Sequence, residues 1–255
     1  MEEEKDIWLG LDISTSCIGC ALVENDGSLY GKVLELTHVL PKVSSKTDKM
    51  EALFLKKEIF EEEFISKYKH FNVSHVVIES PLLKSNNAVT CSVLLMFNGM
   101  ISECVYRAFG IVPEYVSSYE ARQYSFPKLM GIRKFGKDDN PYPPKKIENE
   151  VRKSNFSLFG SYHWSIDKKN IIQQCVAEVF PDIRWLYDKN GELKKVNFDA
   201  CDAYVAVLAQ INKKRYGKLE MTSSNIAENE DESGKYLTFD VEYWDRKETR
   251  KIYLN

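Results

Sequence analysis

Three short apolar segments near the N-terminus constrain the fold more than any other feature of the chain. Ile7 to Ile13 is typical of a buried strand, Cys17 to Glu24 of a second strand, and Leu29 to Leu36 of a third. The last two are joined by Asn25-Asp26-Gly27, which is a strong hairpin turn. The sequence therefore predicts a sheet that begins with three antiparallel strands.

Two of the predicted buried strands end in a carboxylate. Asp12 lies near the end of the first segment, and Val73 to Glu79 is a parallel-type strand that Ser80-Pro81 terminates. A charged side chain at the end of a buried strand is costly unless it has a partner. Ligands of mainly parallel sheets bind outside the carboxyl ends of the strands. We therefore expect Asp12 and Glu79 to lie together at one such edge.

Another pair of acids lies in the segment from Asn197 to Ala209. Its Ala, Val and Leu residues are typical of a helix packed closely against a sheet. Asp199 and Asp202 are three residues apart, so a helix places them on one face. A helix N-terminus tolerates such like charges, and a divalent cation between them stabilises them further. A structural alternative stays open, in which Asp199 caps the helix and Asp202 has no further role.

The four acids form a candidate metal site because all of them are predicted at the ends of strands or at the start of a helix. Their carboxylates supply only oxygen ligands, which suits two Mg²⁺ or Mn²⁺ ions. Such a pair of ions activates a water and stabilises the leaving oxygen in phosphodiester cleavage. No histidine cluster offers a rival site, and Cys17 and Cys20 form a single CxxC without a second pair at zinc-finger spacing.

Composition indicates an intracellular protein. The six cysteines are scattered through apolar stretches, and we interpret them as reduced core thiols. No apolar run reaches the roughly 18–20 residues of a membrane span. The acidic N-terminus lacks the cationic and apolar regions of a signal peptide. We therefore expect a cytoplasmic protein without a membrane segment.

The remaining segments predict helices that flank the sheet and a tail beyond them. Residues 126–166 lack clear periodicity and form a predicted insertion, residues 217–234 a polar, acidic linker, and residues 235–255 a C-terminal β-hairpin. The other predicted elements are helices from Thr47 to Tyr68, from Asn87 to Phe109, from Ser118 and from Asp167 to Phe180, a strand from Ile111 to Val116, and a turn at Asn190-Gly191.

The centre of the chain is basic although the whole protein is acidic. Residues 122–218 carry 19 Lys/Arg and 11 Asp/Glu, whereas the formal net charge of the chain is −3. Basic residues interleaved with aromatics can follow a nucleic-acid backbone and stack on its bases. The alternative is a solvated surface with aromatics that pack a small subdomain. The candidate DNA-binding residues are Arg133, Lys134, Lys145, Lys146, Lys168 and Lys169.

Four segments together resemble one known family. They are Gly10 to Gly19, Val77-Ile78-Glu79, Asp199-Ala200-Cys201-Asp202-Ala203 and Lys169 to Val176. Their order and spacing are similar to the motifs of the RuvC-type Holliday junction resolvases, which are nucleases of the ribonuclease H-like superfamily. The resemblance covers roughly residues 6–216, without the insertion at 126–166.

The resemblance implies the fold and its domains. It implies an α/β protein with a ribonuclease H-like mixed sheet, in which three antiparallel strands are joined by parallel strands and flanked by helices. The nuclease domain would span residues 6–216. The acidic linker at 217–234 and the hairpin at 235–255 would be additions to it.

The resemblance also implies the activity. The chain would be a crossover junction endodeoxyribonuclease that acts on branched DNA in recombination and repair, as a homodimer. Its four acids (Asp12, Glu79, Asp199 and Asp202) would hold two Mg²⁺ ions, for which Mn²⁺ may substitute. Lys169 would contact the scissile phosphate, with Lys168 as the other candidate. The expected setting is the cytoplasm of a bacterial or phage-infected host cell, and the protein would be of the phage type.

Three alternatives stay open at the level of sequence. The first is a nuclease of the same fold that acts on another substrate, such as a flap or an RNA–DNA hybrid. The second is an ATP-dependent kinase of the sugar kinase and actin-like class, because Leu11 to Ser16 is also similar to the first phosphate motif of that class. The chain lacks the further glycine-rich turns of that class. The third is a non-catalytic module that binds nucleic acid, against which the four acids argue.

Overall fold

The structure is a computed structural model, and the residues it describes fall into two compact units. The first unit comprises residues 1–121 and 172–212, and the second comprises residues 122–171 and 213–255. This division does not follow the predicted boundaries at 216 and 234. The described residues are 5–81, 88–125, 157–159, 162–163, 168–191, 193–194, 196–216, 222–242 and 247–253.

The first unit is built on a five-stranded mixed sheet, as predicted. The strand order is β3-β2-β1-β4-β5. β1 pairs antiparallel with β2 and β2 antiparallel with β3, whereas β4 runs parallel to β1 and β5 parallel to β4. The fold class predicted from the sequence is therefore confirmed. The strands are β1 (Ile7–Ile13), β2 (Ile18–Glu24), β3 (Lys32–Val39), β4 (Val73–Glu79) and β5 (Glu114–Val116).

The two faces of the sheet carry different side chains. Successive residues of a strand point to opposite faces, and in β1 Leu9 and Leu11 lie on one face while Gly10 and Asp12 lie on the other. Leu9 and Leu11 belong to a buried apolar cluster that includes residues of the helices on their side. Gly10 faces a different helix, whose backbone it nearly touches. The sheet therefore has one large apolar face and one face on which the candidate acid Asp12 lies.

The predicted helix from Thr47 to Tyr68 forms as three consecutive pieces. α1 (Lys49–Phe60) begins after Asp48, whose carboxylate accepts hydrogen bonds from the backbone N–H of Met50 at 2.8 Å and of Glu51 at 3.3 Å. It continues as a π-helical turn, Glu61–Ile65, and a short α2, Ser66–Tyr68.

The π-helical turn keeps two aromatic rings in the core. The rings of Phe60 and Phe64 are both buried, and their centroids lie 5.5 Å apart. π-helical turns are rare in proteins and are frequent at functional sites.

A long apolar helix, α3 (Ala88–Phe109), packs on the same face of the sheet. Its buried side chains include Phe97, Ile101 and Val105, which belong to the apolar cluster. By length and composition α3 is apolar enough to cross a membrane, with a mean hydropathy of 1.6 and 28% of that window buried. Core helices of soluble proteins meet the same criterion. We expected no membrane segment because no unbroken apolar run is long enough. The hydropathy of α3 neither supports nor contradicts that expectation, since both kinds of helix meet the criterion.

The other face of the sheet is covered by the last long helix of the first unit. The remaining helices in the part of the chain that the structure describes are α4 (Ser118–Ser125), α5 (Lys168–Val179) and α6 (Asn197–Tyr216). In α6 every residue from Ala200 to Asn212 is buried. This burial agrees with the prediction of a helix made of small apolar residues that packs closely against a sheet.

The second unit contains a three-stranded antiparallel sheet that the sequence predicted only in part. The strands are β8 (Thr222–Asp231), β9 (Gly234–Glu242) and β10 (Lys247–Tyr253), in the order β10-β9-β8. The predicted hairpin is confirmed as β9 and β10. The prediction of a linker at 217–234 was wrong for β8, because pairing with β9 holds this polar segment as a strand. Two short strands, β6 (Ser157–Phe159) and β7 (Tyr162–His163), also pair in this unit.

A polar network at the start of β1 predicts sensitivity to acid. The carboxylate of Asp6 accepts hydrogen bonds from the Ser74 hydroxyl at 2.5 Å and from the Asn25 amide at 2.9 Å. Burial opposes its charge, but these hydrogen bonds and the nearby His75 outweigh burial and lower the pKa of Asp6. A lowered folded-state pKa contributes stability above the unfolded pKa of about 4, and this stability is lost as the pH falls through the folded pKa.

We expect Asp6→Asn to lower the free energy of unfolding at pH 7 by about 1 kcal/mol, because a partly exposed charged hydrogen-bond acceptor is lost. The difference from the wild type should shrink at pH 3. Urea unfolding at both pH values measures it, with the exposed acid variant Glu58→Gln as control. An equal difference at both pH values would contradict this account of Asp6.

Candidate active site

The structure places Asp12 and Glu79 side by side on neighbouring strands. In the parallel pairing of β1 with β4, Leu11 is opposite Ile78, so the next residues, Asp12 and Glu79, follow this pair at the same level. Paired residues share a face of the sheet, and the strands lie about 5 Å apart. Both acids are partly buried. The ends of the two strands therefore lie next to each other, and the joint role of Asp12 and Glu79 at this edge stays a prediction.

Two glycines let α6 approach this part of the sheet at backbone contact. A Cβ atom added at Gly19 would lie 1.9 Å from the carbonyl oxygen of Asp199, and one added at Gly10 would lie 2.2 Å from the carbonyl oxygen of Ala203. No side chain fits in either place. Gly19 is the antiparallel partner of Asp12. The first turn of α6 therefore rests on the sheet next to Asp12.

The two acids of α6 differ in their exposure. Asp199 is partly buried, and Asp202 has 2% of its surface exposed. They are three residues apart in the first two turns of α6, so they lie on one face of the helix. A carboxylate as buried as Asp202 is costly unless hydrogen bonds or cations compensate its charge. This burial favours a functional role for Asp202 over that of an ordinary first-turn acid.

The turn that follows Asp12 is fixed by hydrogen bonds. The Ser14 hydroxyl donates to the Cys17 carbonyl at 2.8 Å and accepts from the Cys17 N–H at 3.0 Å. From α1, the Lys56 ammonium donates to the carbonyl of Thr15 at 2.6 Å. These bonds hold the β1–β2 turn, so the backbone on both sides of Asp12 has a defined position.

The structure places His38, which was not predicted as a site residue, on the same face of the sheet as Asp12. His38 is opposite Gly19 in the pairing of β2 with β3, on the same face as Asp12. Burial lowers the pKa of His38, and the Asp199 carboxylate acts in the opposite direction. The imidazole is therefore largely neutral at pH 7 and lies within electrostatic reach of Asp199. The predicted third strand ended at Leu36, so the prediction left His38 outside the sheet. The strand in fact continues to Val39.

Two buried cysteines of the first unit, Cys20 in the apolar cluster and Cys201 beside Asp202, have raised pKa values. Burial, together with the neighbouring Asp202 carboxylate, raises the pKa of the Cys201 thiol. Burial likewise raises the pKa of the Cys20 thiol. Both thiols therefore stay protonated at neutral pH and behave as core residues, as the sequence suggested. This leaves oxygen and imidazole ligands at the site.

The chemistry of the acids fits divalent cations that prefer oxygen ligands. Carboxylates at adjacent backbone positions suit Mg²⁺ or Mn²⁺. Among the described residues, however, no three His, Cys, Asp or Glu side chains are already gathered at one point that could hold a metal ion. Carboxylates without a cation repel one another, and metal binding supplies the energy that draws such ligands together. The structure thus brings together the backbone positions of the acids and does not preassemble their carboxylates.

The predicted DNA-binding residues are described only in part. Arg133, Lys134, Lys145 and Lys146 lie outside the described residues. Lys168 and Lys169 are the first two residues of α5. Their predicted contact with the scissile phosphate stays a prediction.

Comparison with known proteins shows the fold of the chain. No protein-family model and no curated protein sequence matches it. Among solved structures, "T. thermophilus RuvC in complex with Holliday junction substrate" is similar with a TM-score of 0.51 at 12% identity, over 83% of this chain and 96% of that chain. At this identity the similarity establishes a ribonuclease H-like fold and leaves the function to be argued from the site.

Two further solved structures are similar at lower TM-scores. The Thermus thermophilus RuvC structure has a TM-score of 0.48 at 15% identity, over 83% of this chain and 96% of that chain. The yeast mitochondrial Holliday junction resolvase Ydc2 has a TM-score of 0.44 at 10% identity, over 83% of this chain and 82% of that chain.

Proposed function

We propose that the chain is a metal-dependent endonuclease that hydrolyses a phosphodiester bond in branched DNA, with the four-way Holliday junction as its substrate. One observation carries this proposal: Asp12 and Glu79 end adjacent strands directly beside a helix that begins with Asp199 and Asp202. A sheet that only needs to fold gains nothing from acids in these positions. The RuvC of similar fold was crystallised with a Holliday junction substrate, which supports the choice of DNA.

In this proposal the four acids hold two Mg²⁺ ions, and Mn²⁺ can replace them. When bound, the ions supply an activated water and stabilise the charge on the leaving oxygen. The residues of the chain itself position the ligands. Gly19 sets the distance between the α6 backbone and β2, and Lys56 fixes the turn beyond Asp12. The neutral imidazole of His38 is suited to accept a proton near Asp199.

We further propose that the basic residues bind the DNA backbone. Lys169, or its neighbour Lys168, would contact the scissile phosphate. Arg133, Lys134, Lys145 and Lys146 would bind the arms of the junction. The net charge of +8 over residues 122–218 supports this role, because neutralising phosphates is the main source of affinity for DNA.

Exposed apolar residues on α3 support a homodimer. A four-way junction also favours a homodimer, because the junction offers two equivalent strands for cleavage. Leu95 and Tyr106 are 46% and 50% exposed and lie about three helical turns apart, on one side of α3, and Met96 next to Leu95 is 41% exposed. Gly99 lies between them, and a Cβ atom added there would meet nothing within 4 Å. A glycine inside a helix costs about 0.5–1 kcal/mol relative to alanine. Its presence is explained if a second α3 approaches this face closely.

We expect Leu95→Glu to convert the proposed dimer into a monomer at micromolar concentration, because a charge would be buried at the interface without a partner. The dissociation constant should rise at least about thirtyfold. Light scattering after size-exclusion chromatography measures the mass. Val112→Glu, which changes another exposed apolar residue outside α3, should leave it unchanged. A wild type that is monomeric at high concentration would refute the homodimer.

The setting that fits this function is the cytoplasm of a bacterial or phage-infected cell, with a role in recombination and repair. The five cysteines whose side chains are described are all free, which fits a reducing compartment. We also propose that the protein is of the phage type, as the resemblance of its motifs implies.

The test of the proposed function is a cleavage panel. A labelled four-way junction, a plain duplex, a flap and an RNA–DNA hybrid are incubated with Mg²⁺ and with chelator. We expect symmetric cuts in the junction that require the metal. Cleavage of the hybrid or the flap alone would assign another substrate to the same site. Failure to cleave any of them would overturn the nuclease proposal.

A further inference from the structure

A pocket of about 440 Å³ lies in the first unit where β3 ends. Its lining residues come from β3 and the segment after it and from the helix on the apolar face of the sheet. They are His38, Leu40, Lys42, Ile59 and Glu63. Lys42 and Leu40 are exposed at the rim. The volume lies within the range of pockets that hold a ligand of nucleotide size.

The pocket adjoins the candidate active site through His38. This residue lines the pocket and also lies within electrostatic reach of Asp199. On the other side of the pocket, Glu63 belongs to the π-helical turn. Such turns concentrate at functional sites because they alter the direction of side chains in a helix. A pocket and an unusual backbone therefore coincide at the β3 edge of the sheet, on the strand that is separated from Asp12 of β1 by β2.

The lining residues suit one unpaired nucleotide. Leu40 and Ile59 offer apolar surfaces to the faces of a base, and the Lys42 ammonium complements a phosphate. The Glu63 carboxylate accepts hydrogen bonds, as does a neutral His38 imidazole, and so both suit a base with amino donors such as adenine or cytosine. The Glu63 carboxylate would repel any further phosphate that entered the pocket. A run of paired DNA backbone is therefore a poorer match than a single base with its phosphate.

We propose that this pocket holds one unpaired nucleotide of the substrate strand next to the cleaved bond. The inference rests on the proposed function, because it assigns a subsite to the same DNA. It adds that the protein recognises branched DNA partly by capturing a base that is free of the double helix. Moving a base out of the double helix costs energy, and this cost is lowest for a base that is already unpaired, as at a branch point.

The test compares two junctions that carry one extra nucleotide at the branch point. In one junction the nucleotide is an unpaired adenine, and in the other it is abasic, so both have the same number of phosphates. Binding is measured by fluorescence anisotropy in Ca²⁺. We expect wild type to bind the adenine junction about tenfold more tightly. Leu40→Ser, which removes an apolar surface from the lining of the pocket, should abolish this preference. Lys42→Ala should weaken binding to both junctions.

The control is Lys46→Ala, which removes an exposed lysine of the same loop that does not line the pocket. It should bind both junctions as tightly as wild type does and should retain the tenfold preference. Equal wild-type binding to both junctions, or a tenfold preference that survives Leu40→Ser, would overturn the inference. Cleavage in Mg²⁺ is measured separately. If the wild-type protein cleaves the junctions but binds the adenine and abasic junctions equally, the proposed role of the pocket is refuted and the nuclease assignment is not. Wild type that prefers adenine without cleaving refutes the nuclease assignment and leaves the pocket standing.

Discussion

Replacing Asp202 by asparagine should abolish metal-dependent cleavage of the junction, with a loss of at least about a thousandfold in rate. Asp202 has only 2% of its surface exposed and lies on the same helical face as Asp199. Asparagine has nearly the same shape, so packing is retained while one negative charge and one metal ligand are lost. The variant should also be stabilised less by Mn²⁺ or Mg²⁺ in thermal unfolding.

Two measurements separate this chemical effect from damage to the fold. The cleavage rate reports on the site, and the shift in melting temperature on adding metal reports on ion binding without any need for catalysis. Asp182→Asn removes an exposed acid between α5 and α6 and should change neither. A cleavage rate in Asp202→Asn within tenfold of wild type would remove Asp202 from the proposed ligands. The purely structural alternative for this residue would then stand.

The part of the fold that was predictable is the part that local patterns determine. β1 and β4 are nearly continuous apolar runs, and α6 is a run of small apolar residues, so each was predicted at its correct place. The strand β3 was predicted from 29 to 36 but spans Lys32–Val39. Gly31 has a φ of 64°, which a strand does not allow, and it separates Leu29 and Tyr30 from β3.

The elements that escaped prediction depend on strand pairing that their own composition does not reveal. β8 contains Ser, Asn, Glu and Asp and has the composition of a linker, and pairing with β9 makes it a strand. The acids of the site could be placed at the ends of elements from the sequence. The register that sets Asp12 beside Glu79, and the helix that approaches Gly19, required the tertiary structure. His38 was missed because the predicted third strand ended at Leu36, two residues before it.

Adding a single methyl group at Gly19 should disrupt the site without altering any charge. A Cβ atom there would lie 1.9 Å from the Asp199 carbonyl oxygen and 2.6 Å from the Ala200 nitrogen. Both are backbone atoms, which no rotamer change can remove. In Gly19→Ala the start of α6 must therefore move away from β2. We expect a loss of about 3 kcal/mol in the free energy of unfolding. A displacement near 1 Å costs about a hundredfold in cleavage rate.

Gly27→Ala is the matched control for this prediction. Gly27 lies in the turn after β2 with a φ of 85°, and an added Cβ atom meets nothing within 4 Å. Alanine there costs about 1 kcal/mol through backbone strain alone. Both variants should therefore unfold at lower denaturant concentration than wild type, but only Gly19→Ala should lose cleavage at temperatures where it is fully folded. If folded Gly19→Ala cleaves as fast as Gly27→Ala, the contact between α6 and β2 does not position the acids, and the site must be assembled by other means.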